Sequence, residues 1–538
     1  MSRENRPPNI VLITTDHHSY NALASNGFRR HSPGSDRLAN EGVGFTHATT
    51  TTVMCGPARC AMQTGMYPSA LGLPNNRWGG KGIGGQLLPP GRGVKTVPDY
   101  FKPAGYLCGF VGKLHMAGKP LDYGYDDYSQ ANFDGRGKNR HFRARSFDEY
   151  MADKGVDVAA RPPVIDQTEN AVRYWHRGVW HAMSGRLANY RREHTYTACT
   201  FDEGKRLIDC YRALDRPFLA HINADLAPHW PYVVPEPYAS MYDPREFAEW
   251  PNFCDRAEKI PLRSKTVRNC WRTDAEPWER WAESISKYYG LCAMIEDEAA
   301  DLLSFLDERD LAENTIVVWT ADHGAPNGAH GVFDKDHRII DEAYRIPLVA
   351  RYPRGGFQCG LRSDALVQNA DVLPTIMELA GLAPPPGMHA RSFAPALRGE
   401  PWRRGEIDYC FMSNGGDPMT LATVRAIRTH DFKYVFNALD IDELYDLRSD
   451  PAEMQNRIDD PRCAGEIARL RKLLYKVLTD TGDFVEPFAY ARLIENEEAG
   501  GFDPAAAPPP VHYFSGAHDF GLRTNCPWHF TPSKGRRG

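Results

Sequence analysis

No uninterrupted apolar run in this chain approaches the roughly 20 residues that span a bilayer, so nothing in it reads as a membrane segment. The opening Met1-Ser2-Arg3-Glu4-Asn5-Arg6-Pro7-Pro8 passes straight into a short apolar strand. It lacks the apolar core and small-residue cleavage site of a secretory leader, and the expected location is cytoplasmic. The 12 cysteines form no CxxC pairs and no tight spacing, which excludes a zinc ribbon and a disulfide framework. There is no dense Lys/Arg block before Lys534-Gly535-Arg536-Arg537, and the formal net charge is -5, so no nucleic-acid footprint exists. Internal repeats are absent too. Any small anion must therefore be caught by a local site.

What is present suffices for a large core. Hydrophobic residues make up 42% of 538, a length that calls for one large domain plus a smaller one. Short apolar, β-branched runs at 9–14, 106–111, 217–223, 315–320 and 346–350 read as buried strands. Between them lie helical patterns, clearest at 289–306, where Leu291, Met294, Ile295, Ala299, Leu302, Leu303 and Leu306 recur at helical spacing. Alternating strands and helices predict an α/β fold, a mostly parallel central sheet covered on both faces, with ligands beyond the carboxyl ends of the strands. A helix is read at 371–382 and a linker at Pro384-Pro385-Pro386-Gly387. Alternating strands at 422–436 and 443–447 and a helix at 463–478 then make a smaller α+β subdomain with an antiparallel sheet. The division is 1–390, 391–481 and a tail, 482–538. That tail carries Tyr513, Phe514, Phe520, Trp528 and Phe530, dense enough to pack on the body or on a second subunit of a homo-oligomer, a dimer or tetramer.

The reactive residue types gather at the predicted strand ends. Asp16-His17 follows 9–14, and Asp322-His323 follows 315–320. Neighbouring residues on a strand point to opposite faces, so both can turn to one ion only where the strand stops. Two such pairs at adjacent carboxyl ends can converge on one divalent cation. Lys113 and His115 follow 106–111, His229 follows 217–223, and Lys335 follows the second acid-histidine pair. Cys55-Gly56-Pro57-Ala58-Arg59 reads as a helix start, since Pro57 needs no N–H in a first turn. Its unpaired N–H groups would favour an oxyanion beside Cys55.

The form CxPxR, with this company, resembles the sulfatases of the alkaline phosphatase superfamily. The resemblance implies that superfamily's three-layer sandwich. It also implies that Cys55 is oxidised to formylglycine by a separate maturation enzyme, and that the aldehyde hydrate attacks sulfur to give a covalent hemiacetal sulfate. The modified Cys55 then joins Asp16, His17, Asp322 and His323 as a metal ligand. Lys113 and His115 match the family's GKxH element, His229 its PHxP, and Lys335 its HGxxxK, so these four are expected around the sulfate with Arg59 steadying the nucleophile. His229 is the expected leaving-group acid and His115 the later base. Asn76 is the expected amide donor to the substrate, while His18 and His330 read as structural. His17 departs from the Asp, Gln or Asn usual at its place. With both histidines bound, the site shifts toward Mn2+ or Zn2+; with His17 turned away, Ca2+ fits.

The implied activity is arylsulfatase-like hydrolysis of a small sulfate monoester. The closest rival is a phosphonate monoester hydrolase or phosphodiesterase built from the same parts, and Lys113 and His115 favour sulfate because those relatives generally lack the pair. A catalytically silent binding protein would need a missing ligand or nucleophile, and none is missing; a thiol enzyme using Cys55 directly lacks a matching signature. The segments 121–212 and 250–281 read as insertions that shape the pocket.

Overall fold

The computed structural model describes residues 6–483, apart from 23–29, 74–75, 77–87, 89–92, 131–138, 169, 177–178, 225–226, 254–258, 263, 266–270, 274, 336–337, 415–423 and 439. Eight strands build the main sheet: β1 (Asn9–Thr15), β2 (Val43–Phe45), β3 (Leu107–Gly112), β4 (Asp127–Ser129), β5 (Phe218–Asn223), β6 (Thr315–Ala321), β7 (Leu348–Arg351) and β8 (Leu361–Ser363). Their order is β8-β2-β7-β6-β1-β5-β3-β4. All neighbours run parallel except β7, which is antiparallel to both β6 and β2. Consecutive side chains of a strand point to opposite faces, and the core divides accordingly. Ile10 and Leu12 of β1 join Ile316, Val318 and Phe110 on one face, under Leu373, Ile376 and Met377 of the helix Val372–Leu379. Val11 and Ile13 join Val317 and Trp319 on the other, under the helices Tyr196–Ala213 and Trp278–Glu308. The result is the expected three-layer sandwich. Each large apolar side chain so buried contributes about 1.5–3 kcal/mol, so the sheet centre is a rigid base for what its edge carries.

The helix Tyr196–Ala213 lies inside the stretch read as an insertion. Its buried stripe of Phe201, Leu207, Ile208 and Tyr211 packs on the main sheet, so the end of 121–212 belongs to the scaffold. Thr200 and Glu203 are buried on the same helix, which blurs the apolar period in the sequence.

Four antiparallel strands, Cys410–Asn414, Val424–Arg428, Phe432–Asn437 and Glu443–Asp446, form the second sheet. The helix Ala464–Thr481 packs Leu470, Leu474 and Leu478 against Phe411, Ile427, Tyr434 and Phe436 on one face. The other face, with Met412, Ala426 and Val435, packs on Val53, Ile340, Tyr344 and Leu366 of the main body. Ser413 N–H donates to the Thr51 carbonyl at 2.9 Å, so this sheet supports the chain just before Cys55. The aromatic tail beyond 483 lies outside the described residues. Among those described, no helix is long and apolar enough to cross a membrane.

Candidate active site

Cys55 opens a wholly buried helix, Cys55–Thr64, which ends where Gly65 takes φ 67° and returns its N–H to the Ala61 carbonyl. Glycine suits that left-handed stop. At the front, Met54 offers no side-chain cap. Asn76, twenty residues on, supplies one instead, its Oδ1 accepting from Gly56 N–H at 2.9 Å. Its carbonyl is therefore committed to the helix, a bond that leaves the donor role expected of its amide NH2 untouched.

β1 and β6 pair from Asn9–Thr315 to Thr15–Ala321, which sets Asp16 and Asp322 side by side where both strands stop. The ligand atoms of Asp16, Cys55, Asp322 and His323 all lie within 4.8 Å of one another, and all four residues are buried. His323 Nδ1–H donates to the Gly324 carbonyl at 2.9 Å, leaving Nε2 to face Cys55 Sγ at 3.1 Å. Asp16 Oδ1 is buried without a hydrogen-bond partner. Burial alone would raise both carboxyls. Lys113 holds Asp16 well below the usual range, whereas Asp322, beside Asp16, is raised. Two carboxylates, one imidazole and an oxygen or sulfur at position 55 fit a divalent cation, which would relieve this crowding of negative charge.

His17 is not brought into that cluster. Its backbone sits at φ 62°, and its N–H donates to Asp322 Oδ1 at 3.1 Å. Its ring packs edge-on to His323 at 5.3 Å and against His229 at 4.9 Å, with neither ring nitrogen hydrogen-bonded. Burial first, then Lys335 and His229, pushes it well below the usual imidazole range, so it is neutral. The expectation that His17 completes the ligand set is thus not met by this arrangement. The left-handed turn that shares Asp322 through the backbone carries the ring past the four ligands.

The cations divide by partner. Arg59 is spread over the acids: Nε donates to Asp322 Oδ2 at 3.0 Å, Nη2 to Asp16 Oδ2 at 3.1 Å, and Nη1 to Asn223 Oδ1 at 3.0 Å and the Lys113 carbonyl at 2.8 Å. Lys113 Nζ bonds Asp16. Gly112 before it takes φ 89°, and a Cβ there would lie 1.8 Å from the Asn223 carbonyl, so only glycine lets β3 and β5 end together. His115, at φ 52°, has an unpartnered Nδ1. Lys335 Nζ lies 3.0 Å from His229 Nε2 and 3.4 Å from Asp334. His229 Nδ1 is 2.7 Å from the Trp230 carbonyl. A carbonyl only accepts, so Nδ1 carries the hydrogen and Nε2 accepts from Lys335. Burial opposes ionisation of the Cys55 thiol, yet Lys335, His323 and Lys113 hold it well below the usual thiol range. A position this strongly favouring negative charge suits a nucleophilic oxyanion.

The family model described as Sulfatase matches residues 8–382, more than half of the chain. The chain belongs to the sulfatase family. A second model, described as N-sulphoglucosamine sulphohydrolase, C-terminal, matches residues 328–480. The uncharacterized sulfatase YidJ of Escherichia coli (strain K12) is 29% identical over 495 residues, 89% of this chain and 88% of its own. An N-acetylglucosamine-6-O-sulfatase of Bacteroides thetaiotaomicron is 24% identical over 526 residues, covering 89% and 87%. The solved phosphonate monoester hydrolase of Agrobacterium radiobacter superposes with a TM-score of 0.69 at 22% identity, over 88% of this chain and 96% of that one, and shares the fold.

Three residues of this sulfatase site escaped the sequence reading. Asn223 ends β5 and holds Arg59. Asn369 Nδ2 donates to the Ala321 and Asp322 carbonyls at 3.2 and 3.1 Å, tethering the loop after β6. Asp334 sits beside Lys335. Asn223 was findable as the polar residue closing an apolar strand; Asn369, 47 positions from Asp322, left no local signal. His18 and His330 are buried, His18 at 3.0 Å from Thr15 Oγ1 and His330 at 3.0 Å from Asn252, which accords with structural roles.

Proposed function

We propose that this sulfatase hydrolyses sulfate monoesters with formylglycine made from Cys55 as nucleophile. The observation that carries the reading is the meeting of Cys55, at a helix N-terminus, with Asp16, Asp322 and His323 while Lys113, Arg59 and Lys335 bring positive charge around it. Asp16, Asp322, His323 and the oxygen at position 55 would hold a divalent cation, Mn2+ or Ca2+, with Zn2+ as a third candidate; bound there, it lowers the pKa of a hydroxyl and offsets ester charge. Arg59 fixes both carboxylates in place. As the attacking oxygen bonds to sulfur, the S–O bond to the alcohol breaks, and the alcohol oxygen takes a proton from the Lys335–His229 pair. Lys335 supplies it, since His229 Nε2 accepts in the resting arrangement, which changes the order of the expected roles. The second hydroxyl at position 55 then loses its proton to His115, sulfate leaves by C–O cleavage, and the aldehyde returns. Lys113 and Lys335 stabilise charge on the nonbridging oxygens.

Phosphonate monoesters and phosphodiesters place similar charge at the same points, so slower turnover of both is expected. A maturation enzyme must act before any of this. Two measurements test the reading together. The peptide containing Cys55 should weigh about 18 Da less than with cysteine, and an aryl sulfate should exceed an aryl phosphonate monoester in kcat/KM. An unmodified thiol in active protein, or a large phosphonate preference, overturns it.

A further inference from the structure

A second tier of polar side chains lies one layer beneath the site. In the upper tier, Arg59 joins its own helix to Asp16 after β1 at 3.1 Å and to Asn223 at the end of β5 at 3.0 Å. Two residues back along these strands stand Thr14 and His221, and one turn past Arg59 on the helix stands Gln63. These three meet as well. His221 Nε2 lies 3.0 Å from Thr14 Oγ1, and His221 Nδ1 lies 3.1 Å from Gln63 Nε2. An amide nitrogen only donates, so Nδ1 accepts from Gln63 and Nε2 carries the hydrogen that goes to Thr14. Gln63 Oε1 accepts in turn from the Tyr125 hydroxyl at 2.8 Å. The lower tier therefore joins the same helix, β1 and β5 through one imidazole, as the upper tier does through one guanidinium.

Packing alone does not call for these groups. Leu12 and Leu219, the next residues down the same strand faces, belong to the apolar core, and the His221 ring sits edge-on to Phe110 at 5.1 Å. Thr14, Gln63, Tyr125 and His221 are all buried among them. Apolar side chains would fill the layer without the cost of taking hydrogen-bonding groups out of water. Burial, with Arg59 adding to it, pushes the His221 imidazole down to about 3, so the ring is neutral. What the network supplies is direction. Apolar contacts let a helix slide or turn on a sheet, whereas bonds at 3.0 and 3.1 Å hold its height and rotation. Gln63 shares its rigid helix with Cys55 and Arg59, so whatever holds Gln63 holds them too.

Resting on the reading of Cys55, Arg59 and Asp16 as one site, we propose that His221 is a positioning residue for the hydrolysis. Through Gln63 it fixes the height of the Cys55 helix on β1 and β5, and with it the alignment of the nucleophile and Arg59 with Asp16. The test uses full-length enzyme whose formylglycine content is measured by mass on the peptide containing Cys55, with kcat for 4-nitrophenyl sulfate counted per formylglycine. His221→Leu should lower kcat about tenfold and leave KM within about twofold, because misalignment acts on the attack rather than on binding. His221→Asn places an amide oxygen near the position of Nδ1, keeps the bond from Gln63, and should recover kcat to within about threefold of wild type. If the leucine variant does not fold, Gln63→Met breaks the same bond from the helix side and should show the same loss. An unchanged kcat, a loss carried by KM, or an asparagine variant as slow as the leucine or methionine one overturns the proposal. Should wild type turn over no sulfate ester but cleave an aryl phosphonate, the sulfate reading fails. The same variants are then compared on the phosphonate, and the same outcomes decide the role of His221.

Discussion

Around the C-terminal subdomain, buried acids outside it meet buried cations within it: Asp371 with Arg404, Asp483 with Arg425 at 2.7 Å, and Asp341 with Arg428 at 3.0 Å. At the carboxyl edge of the main sheet, Asp16 and Asp322 share Arg59, yet Asp16 Oδ1, both ring nitrogens of His17 and His115 Nδ1 are buried without hydrogen-bond partners. Buried polar atoms are costly when unmatched, so these matched pairs hold the fold, and unmatched atoms gathered beside four potential metal ligands mark where a ligand's charge enters. The two regions touch through Ser413 and Thr51, which puts the closed network directly behind the open one.

The largest expected effect falls on the open side. Asp322→Asn keeps an acceptor for Arg59 but removes one ligand charge from the four-residue cluster. A lost metal ion forfeits several kcal/mol of transition-state stabilisation, so kcat/KM should drop on the order of a thousandfold. Wild type should gain thermal stability when Mn2+ or Ca2+ is added, by about 2.7 kcal/mol at a hundred times Kd, and the variant should gain little. Titration of the melting temperature with each ion checks this. A variant stabilised as strongly as wild type would place the ion elsewhere.

The closed side should respond in the opposite sense. Arg404→Met leaves Asp371 buried and unpaired, and breaking such a pair costs about 3–5 kcal/mol. Activity per folded molecule should stay near wild type, because Asp371 and Arg404 touch none of the four cluster residues. Urea unfolding read beside active-site titration separates the two effects. A large activity loss without a stability loss would erase the distinction between the regions.

The sequence carried the strand ends well, because an acid or a basic residue closing an apolar run is a local signal. Asp16, Asp322, His323 and Lys113 stand at such ends, His229 and Lys335 lie in the loops that follow Asn223 and Ala321, and the second sheet and its helix were readable from their own periods. What could not be read was direction. His17 is the right residue type in the right stretch, but a left-handed backbone carries its ring out of the four-residue cluster, and nothing in the sequence signalled that the Asn76 carbonyl also caps the helix at Gly56. His229 was legible as a site residue, whereas its tautomer depends on a carbonyl one residue away. Asn369 and the helix Tyr196–Ala213 needed the tertiary fold, the first through distance in sequence and the second because buried Thr200 and Glu203 interrupt its apolar stripe.

Glu296 belongs to neither class and gives the finest test of the distinction. It is a buried acid of the helix Trp278–Glu308 whose carboxylate accepts from Ser35 N–H at 2.7 Å and lies 2.6 Å from Ser35 Oγ. Burial pushes its carboxyl up from 4.5 to about 8, with the Ser35 bonds opposing. A folded pKa above the unfolded one means that the native state holds the proton longer. The group's stabilising contribution is therefore full below about pH 4.5 and is lost as pH rises toward about 8. Glu296→Gln cannot ionise and keeps an acceptor for the Ser35 N–H. Its melting temperature should match wild type within a degree or two near pH 4.5 and exceed it increasingly up to about pH 8, with the activity of folded enzyme unchanged. Parallel melting curves at every pH would show that Glu296 is ionised in the fold. It would then need a positive partner of the kind that Asp371 and Asp341 have.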